Sequence, residues 1–131
     1  MVNYGYTIIY VESVEKTLEF YQHAFGFEVR FFHESKDYGE LETGETVLAF
    51  SSHTLGEMNL NGKYIKGNTN EKPFGIELAF VTDNVEAAYN KAVSAGATPI
   101  KEPTQKPWGQ VVGYVRGIDG SLIELCSPIG G

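Results

Sequence analysis

The chain opens with a change of hydrophobic period that predicts a strand followed by a helix. Residues 4–11 are rich in β-branched and aromatic side chains, which favour a strand. Ser13 then fits the N-cap of a helix, with Glu15 in its positively polarised first turn. Gly26 is placed to end this helix in a left-handed cap. The apolar face of the predicted helix recurs at spacings of four, three and four residues and consists of Val14, Leu18, Tyr21 and Phe25.

Three short strands and a long polar segment are predicted after this helix. The strands are residues 27–33, 38–43 and 46–52, and Gly44 supplies the turn between the last two. Residues 53–73 then break the pattern, because they are rich in glycine and asparagine. This segment is longer than most loops inside compact domains, so we interpret it as a linker or a functional lid.

The second half of the chain repeats the same order of elements. Residues 75–81 predict a strand, a helix follows that ends at Gly96, and residues 110–116 and 122–127 predict two further strands. An offset of 71 residues superposes the strand-to-helix junctions of the two halves. The second helix has Asp83 or Asn84 as its N-cap, and its apolar face comprises Val85, Ala88, Ala92 and Ala95.

This repeat predicts an α+β fold made of two βαβββ modules. Neither module can bury a sheet face and a helix face alone, so we expect their sheets to pair into one curved mixed sheet. The helices would lie outside, and the inner face would form a ligand cleft. We take residues 1–131 as a single domain, with module 1 at about 1–55, a linker at about 56–73 and module 2 at about 74–131.

Composition and charge exclude several classes of function. The chain of 131 residues carries 10 basic and 17 acidic side chains, a formal net charge of −7, so a nucleic-acid partner is not expected. No stretch has the length of a membrane span and the N-terminus lacks a signal peptide, which predicts a cytoplasmic protein without a membrane partner. Cys126, the single cysteine, excludes an internal disulfide and a multi-cysteine zinc site. Nucleotide-binding, serine-hydrolase and zinc-protease motifs are absent from the sequence.

Two segments resemble signatures of the vicinal oxygen chelate superfamily, the glyoxalase, bleomycin-resistance protein and dioxygenase family. The first, FYQHAFGF at residues 20–27, is similar to the helix end of that family. The second, GIDGSLIEL at residues 117–125, is similar to its last turn and strand, although Gly117 and Ile118 replace the usual Asp-Pro. The resemblance covers nearly the whole chain. It implies two βαβββ modules and a homodimer that binds a small molecule.

The resemblance also implies four positions that hold a divalent metal in catalytic members. Tyr6 and Glu77 match the first strands of the two modules, and Ala49 and Glu124 match the last strands. Tyr6 stands where histidine or glutamine is common, and Ala49 has no donor atom. No metal is therefore assigned. If one binds, Glu77 and Glu124 would hold it, as Mn, Mg, Ni, Zn or Fe.

Glu77 and Glu124 each lie inside an apolar strand pattern, where an unpaired carboxylate is costly. Strand alternation directs them away from the helices and into the expected cleft. They would then line a wet cleft, pair with Arg116 or a lysine, or face each other and share a proton. The last arrangement suits a cationic ligand. Cys126 lies on the same strand face as Glu124 and is either part of the cleft or a small buried hydrophobe.

Aromatic residues complete the candidate site. The segment KPWG at residues 106–109 resembles a stretch that flanks the ligand cleft in bleomycin-resistance-like members. Trp108 would stack on an aromatic or cationic ligand, or else close the sheet or a dimer interface. Tyr6 is the best placed of the tyrosines on the first strand. His53 opens the polar segment and would join the site if that segment folds over the cleft.

The leading hypothesis is a protein that binds a small organic molecule, cationic or aromatic, with an incomplete metal site. Its ligand-binding residues would be Tyr6, Ala49, Glu77, Trp108 and Glu124. The alternative is a metal-dependent lyase, transferase or dioxygenase of the same superfamily. No catalytic residue is assigned, and Glu124 is the best candidate. A second alternative is a non-catalytic interaction module that uses the fold alone.

Overall fold

The computed structural model describes residues 1–129, and the chain divides into two compact units. The first unit is Met1–Lys66, and the second begins at Gly67. Each unit is a βαβββ module with its own four-stranded mixed sheet. The predicted α+β class with two such modules is therefore confirmed.

The first unit contains a sheet with the strand order β1-β4-β3-β2, in which β1 and β4 run parallel and the other pairs run antiparallel. A second helix follows the last strand. The elements are β1 Tyr6–Val11, α1 Val14–Phe25, β2 Glu28–Phe32, β3 Tyr38–Glu42, β4 Val47–Ser52 and α2 His53–Leu60.

Helix α1 covers one face of the first sheet, and both predicted caps are confirmed. The Ser13 side chain accepts a hydrogen bond from the backbone amide of Lys16, and Gly26 ends the helix with a φ of 79°. The helix packs closely on β3, since a Cβ at Gly39 would lie 2.6 Å from Leu18 Cδ1. Helix α1 does not cover the opposite face of this sheet, which carries Ile8, Glu40 and Ala49.

Helix α2 was not predicted, because the sequence pattern indicated only a polar segment there. Ser52 caps it by accepting a hydrogen bond from the amide of Leu55, and Asn61 ends it with a φ of 51°. Gly56 is its only buried residue, so the helix lacks the apolar face that would reveal it in the sequence. The expected linker therefore starts with a helix, and the division between the two units falls after Lys66.

The second unit contains a sheet with the strand order β5-β8-β7-β6, in which β5 and β8 run parallel. Helix α3 begins after Asn84, whose side chain accepts a hydrogen bond from the amide of Ala87. The elements are β5 Glu77–Val81, α3 Val85–Ser94, β6 Thr98–Gln105, β7 Val111–Arg116 and β8 Leu122–Cys126.

Strand β6 was also missed by the sequence analysis. It contains Pro99 and Pro103 and lies at the edge of the second sheet, where a missing amide donor is tolerated. Its pairing with β7 is irregular, with register shifts between Pro99 and Lys101 and between Lys101 and Thr104. Proline and polar residues therefore hide this strand from the usual β pattern.

The segment that opens the second unit packs on the turn before β8. Arg116 joins the two, because its Nη2 donates to the Asn68 carbonyl oxygen at 2.8 Å and its Nε donates to the Gly120 carbonyl oxygen at 3.0 Å. Gly120 has a φ of 93°, and a Cβ there would lie 2.8 Å from the Asn68 carbonyl oxygen. This turn requires glycine for both conformation and space.

The helices are short, with 12, 8 and 10 residues in α1, α2 and α3. Across residues 1–129, none of them has the length and apolar character needed to cross a membrane.

Candidate functional site

The open face of the second sheet brings Glu77 and Glu124 together with two further polar side chains. Residues that pair directly across strands share a face of the sheet. Glu124 pairs with Ala79 on β5 and with Tyr114 on β7, and Cys126 follows two residues later on the same face. The helix-covered face carries the buried side chains of Val115, Ile123 and Leu125. We call the four residues Glu77, Tyr114, Glu124 and Cys126 the carboxylate cluster.

The two carboxyl groups of this cluster interact directly. Glu77 begins β5 and is exposed, whereas Glu124 lies in the middle of β8 and is half-buried. Burial raises the pKa of Glu77, and the charge of Glu124 and a hydrogen bond with it raise this pKa further. Glu77 therefore holds its proton more strongly than an ordinary glutamate and can share that proton with Glu124.

Two protonated side chains lie beside Glu124, and one of them, Cys126, has its Sγ 3.8 Å from the Phe80 carbonyl oxygen as donor. The Tyr114 hydroxyl donates to Glu124 Oε1 at 3.0 Å. Burial, followed by this hydrogen bond and the Glu124 charge, raises the pKa of Tyr114 to about 12. Burial and Glu124 likewise raise the pKa of the Cys126 thiol to about 11. The phenol and the thiol therefore stay protonated near neutral pH, and Glu124 is the acceptor of the cluster.

Among residues 1–129, no basic side chain neutralises the carboxylate cluster. Arg116 is on the same strand as Tyr114, but its guanidinium donates to the carbonyl oxygens of Asn68 and Gly120. In the described part of the chain, neither Glu77 nor Glu124 forms an ion pair within 4.0 Å. Two interacting carboxyl groups on an open sheet face thus have only a shared proton and hydrogen-bond donors to stabilise them.

Trp108 lies in the turn between β6 and β7 and is held by a chain of hydrogen bonds. Its Nε1 donates to Gln110 Oε1 at 2.9 Å, and Gln110 Nε2 donates to the Ser127 carbonyl oxygen at 2.9 Å. The side chain nevertheless remains 64% exposed. Its indole is therefore both fixed in orientation and accessible to a ligand.

The remaining two predicted site residues belong to the sheet of the first unit. Tyr6 begins β1 and is 56% exposed. Ala49 is fully buried in the middle of β4 and pairs with Ile8 on one side and Glu40 on the other. The exposure of Tyr6 leaves its ring available to a ligand, whereas the Ala49 methyl group offers no polar contact.

Glu40 is a half-buried carboxylate of the first sheet that was not predicted as a site residue. The Tyr38 hydroxyl donates to Glu40 Oε2 at 2.6 Å, and Arg30 Nε lies 3.6 Å from Glu40 Oε1. Burial and Glu40 raise the pKa of Tyr38 well above its ordinary value. Because Arg30 compensates Glu40, this carboxylate differs from the uncompensated pair of the second sheet.

Different signals would have revealed the missed residues. Tyr38 and Glu40 are two apart on one strand, so alternation alone places them on the same face. Tyr114 contacts Glu124 only because of the β7–β8 register, which the sequence does not display.

The donor set does not fit a resident divalent metal. Of the four positions at which the resemblance implies ligands, Ala49 has no donor atom and Tyr6 is a phenol in place of histidine or glutamine, which leaves two carboxyl groups. Residues 1–129 contain no group of three or more histidine, cysteine, aspartate or glutamate side chains that could hold a metal ion. We therefore derive no chemical step through a metal.

Comparison with known families gives the class of protein. The model of the Glyoxalase/Bleomycin resistance protein/Dioxygenase superfamily matches residues 3–125. This match covers most of the chain and agrees with the two βαβββ modules. The chain therefore belongs to this superfamily.

Solved structures with the same fold share little sequence with the chain. A glyoxalase-related enzyme from Fulvimarina pelagi is 18% identical with a TM-score of 0.83, over 98% of this chain and 89% of that one. A glyoxalase/bleomycin resistance protein/dioxygenase family enzyme from Burkholderia phytofirmans PsJN is 23% identical with a TM-score of 0.79, over 96% and 98%. A glyoxalase/bleomycin resistance protein/dioxygenase from Nocardioides is 18% identical with a TM-score of 0.74, over 100% and 86%. At this identity the likeness concerns the fold alone. No curated protein matches the sequence.

Proposed function

We propose that the protein binds a small organic cation with aromatic character, and that the carboxylate cluster supplies its charged contact. The observation that carries this proposal is the Glu77–Glu124 pair, which lacks a basic partner in the described residues. A cationic group would displace the shared proton and would be attracted to both carboxylates. The ligand would thus replace an interaction that the protein itself does not provide.

Each residue has a separate role in this proposal. Glu124 accepts hydrogen bonds from Tyr114 and faces the cationic group, while Glu77 adds the second negative charge when it loses its proton. The exposed indole of Trp108 offers a rigid surface for stacking or a cation–π contact. Tyr6 and Ala49 remain predictions as ligand-binding residues.

Binding without turnover is the function that we favour. The superfamily includes proteins named for resistance as well as enzymes, and equilibrium binding needs no catalytic group. The donor set at the four implied positions has only two carboxyl groups, which does not support metal-dependent chemistry. The alternative function is a metal-dependent lyase, transferase or dioxygenase, and the experiment is designed to detect it.

The test is a titration that follows the fluorescence of Trp108, the single tryptophan. The probe is benzyltrimethylammonium, a permanent aromatic cation, and benzyl alcohol is its neutral counterpart. Calorimetry on the same samples measures the dissociation constant independently. Glu124→Gln removes the central charge of the cluster, and Glu102→Gln is the matched control, because Glu102 is an exposed glutamate of β6 in the same unit.

We expect saturable binding of the cation and at least a tenfold loss of affinity in Glu124→Gln, since opposite unit charges about 4 Å apart attract by roughly 1 kcal/mol in bulk water and about 4 kcal/mol near a protein surface. Benzyl alcohol should bind more weakly than the cation, and Glu102→Gln should bind the cation normally. Equal affinity for the cation and benzyl alcohol would overturn the proposal. So would one equivalent of tightly held metal in the purified protein that is lost in Glu124→Gln, a result that would favour the metalloenzyme.

We further propose that the chain forms a single superfamily domain that acts as a cytoplasmic homodimer. Exposed apolar side chains on the strands of both units support association, because burial of apolar surface stabilises protein–protein contacts. On the strands, these side chains include Tyr6, Ile8, Phe31 and Val81, which are 56%, 44%, 46% and 65% exposed. Sedimentation velocity would measure the dimer directly.

A further inference from the structure

A polar cavity, separate from the carboxylate cluster, lies in the first unit at the start of helix α2. It has a volume of about 480 Å³, and we call it the α2 pocket. It is built from the end of β1, the first two turns of α2 and the last residue of the unit, and it contains none of the residues of the carboxylate cluster. Its lining residues are Glu12, His53, Thr54, Glu57, Met58 and Lys66.

His53 is held in this pocket by the segment that follows the helix. Its Nδ1 lies 2.7 Å from the Tyr64 hydroxyl, and the two rings stack with centroids 5.8 Å apart. Tyr64 also packs against Tyr10, with ring centroids 4.9 Å apart. A Cβ at Gly56 would overlap the Tyr64 hydroxyl, so the glycine creates the space for this contact. His53 and Tyr64 therefore form a fixed pair.

The protonation states of this pair define what His53 offers to the pocket. Burial raises the pKa of Tyr64, so its hydroxyl keeps its proton near pH 7 and can donate it to His53 Nδ1. Burial and the nearby Lys66 charge lower the pKa of His53, so the imidazole is neutral near pH 7. In the tautomer that accepts the Tyr64 proton at Nδ1, the neutral ring carries its own proton on Nε2. In that tautomer His53 can donate from Nε2 to a ligand in the pocket.

Both signs of charge line the α2 pocket without neutralising each other. Glu12 and Lys66 both lie close enough to His53 to influence its pKa, in opposite directions. Among the residues that the structure describes, Lys66 forms no ion pair within 4.0 Å with Glu12 or Glu57. The pocket thus presents one cationic and two anionic side chains, which remain available to a ligand with complementary charges.

We propose that the α2 pocket binds a small zwitterion of the α-amino acid class. The ligand carboxylate would contact the Lys66 ammonium group and the Nε2–H of His53, and the ligand ammonium group would contact Glu12 and Glu57. Met58 supplies apolar surface for the ligand side chain. A simple amine would leave Lys66 and the His53 donor without a partner, and a simple carboxylic acid would be repelled by the two glutamates. This proposal is independent of the function assigned to the carboxylate cluster.

The experiment compares three probes that differ by one group each. L-Leucine has both charges, 3-methylbutylamine lacks the carboxylate, and 4-methylpentanoate lacks the ammonium group. Nuclear magnetic resonance of protein with ¹⁵N-labelled histidine follows the His53 ring during each titration. We expect a saturable shift of the His53 signals with L-leucine, and at least a tenfold weaker effect with either of the other probes.

Substitutions connect the signal to the pocket. Lys66→Gln and Glu57→Gln should each weaken L-leucine binding at least fivefold, and Lys63→Gln, an exposed lysine of the same segment outside the lining, should leave it unchanged. These side chains are exposed, so the variants should keep the circular dichroism of the unsubstituted protein. The proposal is overturned by the absence of a saturable His53 shift with L-leucine, by equal affinity for the three probes, or by normal binding in Lys66→Gln.

Discussion

The reactivity of Cys126 provides a direct measure of the electrostatics of the carboxylate cluster. The thiol is buried, and burial together with Glu124 raises its pKa from 9.0 to about 11. Only the thiolate reacts with iodoacetamide, so an increase of two pKa units lowers the reactive fraction near pH 8 by about 100-fold. Because Cys126 is the only cysteine, the reaction reports on this one site.

The pH at which the rate levels off is more informative than the rate itself. A thiolate of higher pKa is a stronger nucleophile, and a Brønsted coefficient of about 0.4–0.5 returns nearly tenfold over two pKa units. The lower thiolate fraction and the higher nucleophilicity together therefore slow the reaction only about tenfold, and burial adds a further decrease of its own. The rate profile at high pH separates these effects. Limited access of the reagent to the thiol lowers the rate by the same factor at every pH, whereas the thiol pKa determines the pH at which the plateau begins.

The assay measures alkylation of the folded protein by mass spectrometry across a series of pH values, with the urea-unfolded chain as the reference. We expect the unfolded chain to level off near its ordinary thiol pKa, and the folded chain to increase in rate throughout the same range. Glu124→Gln should move the folded profile to lower pH, while Glu102→Gln should not. Insensitivity of the folded rate to low urea concentrations would exclude reaction through global unfolding. A folded profile that levels off together with the unfolded one would refute our account of the cluster.

Two further predictions concern stability. Gly120→Ala should lower the free energy of unfolding by about 2–5 kcal/mol, because φ at this position is 93° and a Cβ would lie 2.8 Å from the Asn68 carbonyl oxygen. Urea denaturation measures this loss. As the control, Gly5→Ala places its Cβ in open space and should keep the free energy of unfolding within about 0.5 kcal/mol of the unsubstituted protein. The pKa of Glu77 is raised above its ordinary value in the folded state, so its contribution to stability is fully present at low pH and declines as the pH increases through the folded pKa. Glu77→Gln should remove that part of the decline, and an unchanged slope of stability against pH would contradict the raised pKa.

Local signals predicted most of the secondary structure. The Ser13 and Asn84 caps and the Gly26 stop lie where the sequence places them, because each depends only on residues within one helical turn. Helix α2 and strand β6 were not predicted, because local sequence signals for them are lacking. One lacks an apolar face and the other contains two prolines, so neither carries a local signal, and the surrounding fold stabilises both.

The candidate site was predicted only in part. Strand alternation correctly placed Glu124 and Cys126 on one face, since a strand has a fixed period of two. The sequence left open whether Arg116 neutralises the carboxylates. The structure gives the answer, because Arg116 binds the carbonyl oxygen of the nearby Gly120 and that of Asn68, which is 48 residues away in the sequence. The contact of Tyr114 with Glu124 likewise depends on register.

The sequence by itself determined the repeat of two βαβββ modules without the position of β6, both ends of α1, the start of α3 and the presence of two carboxyl groups in apolar strands. These features follow from periodicity and from the conformational preferences of single residues, which act over a few positions. Tertiary structure alone decided which groups contact each other. In the part of the chain that the structure describes, it left the pair of Glu77 and Glu124 without a basic partner, paired Glu40 with Arg30, and brought Tyr64 onto His53. Such contacts require a defined strand register and the return of a distant segment, and both depend on how the whole unit packs.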